Sequence, residues 1–96
     1  MPNARFSPRA NKQINAIWRY IAQHNRQAAN GVLRRMHDAI MLATDNPGVG
    51  APREDISAEA RHLVVGSYLV LYEPTDDGIL VVAIVHGMAN PKSWQD

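Results

Sequence analysis

Apolar residues at Ile14, Ile17, Trp18 and Ile21 recur at the 3, 1, 3 spacing of one helical face, while Lys12, Arg19 and Gln23 fall elsewhere. Ser7-Pro8 ahead of them supplies an N-cap followed by proline at the first helical position, where the missing N–H costs nothing. This pattern predicts a helix over about residues 8–24. His24-Asn25-Arg26 interrupts it, and Ala29, Val32, Leu33, Met36, Ile40 and Ala43 mark a second stripe that ends near Thr44 at the turn signal Asp45-Asn46-Pro47-Gly48. So short a connection makes the two helices antiparallel neighbours. Gly31, which costs about 1 kcal/mol of helix propensity relative to alanine, is expected to allow close helix-to-helix approach.

The pattern then changes period. Residues 49–59 are polar and read as an ordered surface loop, after which strands are predicted over 61–65, 68–72 and 79–86. Gly66-Ser67 and the segment 74–78 have turn chemistry, so these strands should form an antiparallel meander. Residues 3–6 add one brief strand before the first helix, and residues 88–96 form an irregular C-terminal tail. The expected fold is therefore α+β in the order β-α-α-β-β-β, a single domain over 1–96 with a two-helix hairpin packed on one face of a twisted antiparallel sheet. Leu69-Val70-Leu71 and the run 79–85 are apolar on both faces of their strands. A hairpin covers one face only, so the other is expected to be partly open and to receive a partner.

Composition narrows the class. The 96 residues are 46% hydrophobic and 20% charged, ordinary values for a folded domain. With no cysteine, disulfides, thiolate metal sites and thiol nucleophiles are excluded, and a cytoplasmic location is expected. No apolar run approaches the roughly 20 residues of a spanning helix, and the N-terminus lacks a signal-peptide core, so no membrane segment is expected. The formal net charge of +1 conceals an asymmetry. Arg5, Arg9, Lys12, Arg19, Arg26, Arg34 and Arg35 precede the first acidic residue, Asp38, whereas the rest of the chain sets three basic residues against nine acidic ones. Such a basic half suits an acidic partner, whether nucleic acid or protein, or is a solvated face balanced by the other half.

The ordered set of segments resembles the RelE/ParE superfamily of bacterial type II toxins, and within it the ParE-like branch. The matching pieces are 5–10 leading into the first helix, 17–21, the turn 46–50 with Arg53-Glu54-Asp55, the run Arg61 to Tyr72, and 79–85 followed by His86-Gly87. The resemblance implies a helical hairpin on a twisted antiparallel sheet and a cognate antitoxin whose disordered segment folds over the toxin in a hetero-oligomer. It also implies one of two activities. Ribosome-dependent members cleave messenger RNA, whereas ParE-like members poison DNA gyrase by binding. No cofactor is implied.

RNA cleavage through the 2′-hydroxyl needs a base, an acid for the leaving oxygen and cations on the phosphate. The candidates are Arg61, His62, Tyr68 and His86, with Arg61 and His86 the pair a ribonuclease would use. Adjacent strand residues Arg61 and His62 face opposite ways, no tyrosine or arginine follows His86, and lysine is scarce, so a gyrase poison without a hydrolytic site is the favoured expectation. Arg61 is instead expected to pair with Glu59 or an acid of the 53–55 loop, Tyr68 and Tyr72 to be packing residues, and Trp18, in the stripe of the first helix, to be a core residue. Alternation places His86 on the same strand face as Leu80, Val82 and Ile84. The candidates for target or antitoxin contact are Arg61, Leu69, Leu71, Leu80, Val82, Ile84, His86, Met88 and Trp94. After His86-Gly87 the chain carries Met88-Ala89-Asn90 in place of the charged pattern of many relatives, which bears on the target and on toxicity itself. His24, His37, Asp38 and His62 lack ligand spacing, so no metal site is expected.

Overall fold

Ser7 starts the helical layer as the sequence predicts. Its extended backbone turns the chain, and its Oγ accepts from the Ala10 N–H at 3.0 Å, with Pro8 opening α1 (Pro8–Ala22). Asn25 caps α2 (Arg26–Asp45) in the same way, its Oδ1 accepting from the Ala28 N–H at 3.0 Å. The computed structural model describes residues 3–87, so Met88 and Trp94 lie outside the described residues. Five strands complete the fold: β1 (Asn3–Phe6), β2 (Ala51–Pro52), β3 (Arg61–Val65), β4 (Tyr68–Thr75) and β5 (Gly78–His86).

These strands form one sheet in the order β1-β5-β4-β3-β2. The meander β3-β4-β5 is antiparallel as expected, but β1 runs parallel to β5, pairing Asn3 with Gly78 and Phe6 with Val81, so the sheet is mixed. Two residues of the expected 49–59 loop form β2, paired with Arg61 and His62. β4 also runs on through Pro74. Its last β3 partner is the Tyr72–Arg61 pair, so Pro74 lies where β4 has only β5 beside it. At Gly78 the backbone has φ +150, and an added Cβ would lie 1.9 Å from the Asn3 carbonyl oxygen, so the β1–β5 junction requires glycine.

The hairpin buries Ala10 of α1 and Met36, Ile40 and Ala43 of α2 against Val65, Val70, Tyr72, Ile79, Val81 and Ile84 of the sheet. Apolar residues alternate toward this core along β3 and β4. β5 does not keep its alternation. Leu71 pairs with Ala83 and Tyr72 with Val81, which leaves Val82 as the extra residue of a β-bulge. The bulge reverses the strand's parity: Ile79 and Val81 before it and Ile84 after it all enter the hairpin core, while Ala83 and Val85 point the other way. Leu80 and Val82, the latter packed with the outer cluster, therefore do not share a face with Ile84 and His86, contrary to simple alternation.

Two side-chain expectations are also corrected. A Cβ on Gly31 would meet nothing within 4 Å, because this position lies away from the stripe that packs inward, so Gly31 brings no helices together. Trp18 is half-buried at the hairpin's surface, where its Nε1–H donates to Asn30 Oδ1 at 3.0 Å and the Arg26 guanidinium lies 6.0 Å from its ring. It ties the two helices together rather than filling the core.

Candidate functional site

The sheet face away from the hairpin is less open than expected. Leu71, Ala83 and Val85 are buried there, with Leu69, Val82 and the loop residue Ile56 packed around them. The loop is held down by local bonds. Arg53 donates to both Asp55 oxygens at 3.0 and 2.9 Å, its N–H reaches the Ala60 carbonyl at 2.8 Å, and Ser57 donates to Glu73 Oε2 at 3.0 Å. The bidentate contact with Arg53 holds the Asp55 carboxyl below its ordinary pKa. Of the apolar contact candidates, Leu71 and Ile84 are buried on opposite faces, whereas Leu69, Leu80 and Val82 are half-buried. Val64, missed by the sequence reading, is 67% exposed on β3.

His62 occupies the same outer face. Its Nδ1 is buried with no hydrogen-bond partner among the described residues. Desolvation pushes its pKa down, the nearby Arg53 cation pushes the same way, and Asp55 opposes them.

Arg61 points to the hairpin face, and its role is set by the turn after α2. Its Nη1 donates to the Gly48 carbonyl at 3.1 Å and the Gly50 carbonyl at 2.7 Å, not to Glu59 or to an acid of the 53–55 loop. The buried Tyr72 completes the clamp: its hydroxyl donates to the Pro47 carbonyl at 2.8 Å and accepts from the Gly50 N–H at 2.8 Å. A Cβ on Gly50 would lie 2.6 Å from that hydroxyl, so the close approach needs glycine. The hydrophobic pattern identifies Tyr72 as a packing residue, but its hydroxyl has a partner 25 residues away that no local signal marks.

His86 lies elsewhere. It stands opposite Tyr68 across β4–β5, with the two rings edge to face at 5.6 Å between centroids. Tyr68 to Tyr72 spans about 14 Å along β4, and Arg61 and His86 lie on the strands flanking it, a further separation of about 10 Å. The pair considered for RNA cleavage is thus not brought together. Arg5 is likewise remote from Arg61, with three strand spacings between β1 and β3, and it pairs with Asp77 at 3.2 Å.

Beside Tyr68 and His86 the end of the sheet and α1 enclose an open cleft of about 650 Å³. Its walls are Ala16, Ile17 and Tyr20 of α1 and Tyr68, Ile84 and His86 of the sheet, and Tyr20 is 66% exposed. Gln13 sits at its edge, where its Oε1 accepts from the Ile84 N–H at 2.7 Å and satisfies a backbone donor that β1 is too short to reach. Among the described residues no group of three His, Asp or Glu side chains is placed to hold a metal ion. No helix there is long and apolar enough to cross a membrane.

A family model described as the ParE toxin of the type II toxin-antitoxin system, parDE, matches residues 4–91. Among curated proteins, Toxin ParE1 of Caulobacter vibrioides (strain ATCC 19089 / CIP 103742 / CB 15) is 27% identical over 90 residues, covering 93% of each chain. A solved structure of the chromosomal ParDE TA system from P. aeruginosa superposes with a TM-score of 0.72 at 16% identity, over 90% of this chain and 96% of that one, a likeness of fold.

Proposed function

Since this chain belongs to the ParE toxin family of type II toxin-antitoxin systems, we propose that it arrests growth by binding DNA gyrase in the cytoplasm, without a hydrolytic site of its own, and that a cognate antitoxin neutralises it. The observation that carries this reading over RNA cleavage is the separation of Arg61 from His86, together with the capture of Arg61 by the Gly48 and Gly50 carbonyls. A guanidinium already bonded to two backbone oxygens at the end of α2 supports a turn. An arginine serving a phosphate at His86 would have to project from the other end of the sheet.

The contact surfaces follow from what is left accessible. The cleft beside Tyr68 and His86 is the site we assign to the antitoxin, because an amphipathic segment laid along α1 could place apolar side chains on Ile17 and Tyr68. Leu69, Leu80, Val82 and the exposed Val64 form the second candidate surface, on the outer face of the sheet. Met88 and Trp94 extend the contact list beyond the described residues. The deciding experiment compares purified reactions side by side. Gyrase-dependent accumulation of cleaved plasmid upon addition of the protein is the expected result, while intact supercoiling together with ribosome-dependent truncation of messages overturns it. Induction that leaves growth unchanged would instead make the protein a toxin-fold binding module.

A further inference from the structure

The outward face of the helical hairpin carries a concentration of positive charge that neither the fold nor the cleft uses. Lys12 and Arg19 are seven residues apart in α1, which brings them within about 20° of each other around the axis and about 10 Å apart along it. Both are exposed, and they lie opposite the stripe of Ala10, Ile14 and Ile17 that packs on the core. Arg34 and Arg35 are exposed on α2, as is Arg26 over the face of Trp18. Lys12, Arg19, Arg34 and Arg35 make no ion pair among the described residues. Neither helix has an acidic residue in its first turn, and the first acid of the chain, Asp38, lies one turn beyond Arg34 and is 3.5 Å from His37 Nδ1.

We propose that this hairpin face binds the phosphate backbone of duplex DNA. The chemistry between the charges favours phosphate over an acidic protein segment. Asn11 and Asn15 on α1, Gln23 at its C-cap, and Gln27 and Asn30 on α2 are exposed amides, which with arginine and lysine are the side chains that contact phosphate and sugar oxygens. A docked protein helix needs apolar anchors, and this face offers none between Lys12 and Arg19 larger than Ala16. Single-stranded nucleic acid is recognised by stacking bases on aromatic rings. Here Trp18 is occupied by Asn30 and Arg26, and Tyr20 belongs to the cleft. Two helices side by side present instead a rigid charged surface suited to a rigid backbone. The binding is independent of sequence and does not rest on gyrase being the target.

The test is fluorescence anisotropy of a labelled duplex of about 20 base pairs titrated with the full chain between about 50 and 200 mM salt. Three phosphate contacts give a slope near −3 for log affinity against log salt, since each released counterion contributes about 0.9. Lys12→Gln, Arg19→Gln and Arg34→Gln should each lower the slope by about 1, and the triple charge reversal K12E/R19E/R34E should weaken binding at least tenfold. All four variants change only the exposed helix positions 12, 19 and 34, and circular dichroism verifies that each is folded. A slope near zero, affinity unchanged by the reversals, or tighter binding of polyglutamate or single-stranded RNA than of the duplex overturns the proposal. Because gyrase is absent from this assay, a negative result leaves the gyrase reading standing.

Discussion

At the scale of single residues, polar atoms define the details that hydrophobic patterning leaves out. Tyr72 has the apolar neighbours its strand position predicts, yet its hydroxyl serves two backbone groups of the turn after α2. Tyr72→Phe keeps the ring and strands the Gly50 N–H and the Pro47 carbonyl, so urea denaturation should show a loss of about 1 to 3 kcal/mol. His62 has the opposite problem, a buried nitrogen with no partner among the described residues. Its pKa is lower folded than unfolded, so the unfolded chain takes up the proton first. Its contribution to stability is therefore full above the unfolded value of about 6.5 and is lost as the pH falls through the window below it. Urea midpoints measured from pH 7.5 downward should drop on acidification for the native chain, and His62→Gln should flatten that part of the profile. Arg61 was recognisable as a special residue from its place in the strand, but its partners were not, because backbone carbonyls of a distant turn leave no trace in side-chain spacing.

At the scale of elements, helix positions were readable because caps, proline and a 3.6-residue period are all local. The bulge in β5 was not, since seven consecutive apolar residues carry no phase to reveal a change of parity. Its position has a structural cause. β1 ends opposite Val81, and Ser7 then takes over, its N–H donating to the Val81 carbonyl at 2.9 Å and its Oγ to the Val82 carbonyl at 2.8 Å. One side chain thus caps α1 and secures the bulged carbonyl. Ser7→Ala removes both functions and should destabilise the protein by about 2 kcal/mol, while Ser7→Thr, which retains the oxygen, should recover much of it. Amide hydrogen exchange would place the loss in the first turn of α1 and at β5. The parallel placement of β1 could not be read from four residues with no turn to a neighbour.

At the scale of the whole molecule, the charge asymmetry read from the sequence separates the hairpin from the sheet. The basic residues from Arg9 to Arg35 crowd the helical layer, while Asp55, Glu73 and Asp77 belong to the loop and sheet. The fold class and the toxin family were accessible from the order of segments, whereas the candidate surfaces required knowing which residues the bulge and the turn clamp turn inward.

The pairing of the first strand with the last also governs when the molecule exists at all. Ser7 meets Val82 across a sequence separation of 75, and Asn3 waits for Gly78. A growing chain must therefore emerge through β5 before β1 finds a partner and before β4 gains the neighbour with which it makes its most extensive pairing. Contacts so distant in sequence come late and slowly. Nascent fragments ending before Gly78 should show no cooperative thermal transition by circular dichroism, whereas chains continued through His86 should. A fragment that lacks β5 thus has no completed sheet to present to any partner, and the folded surfaces arise together when that strand docks.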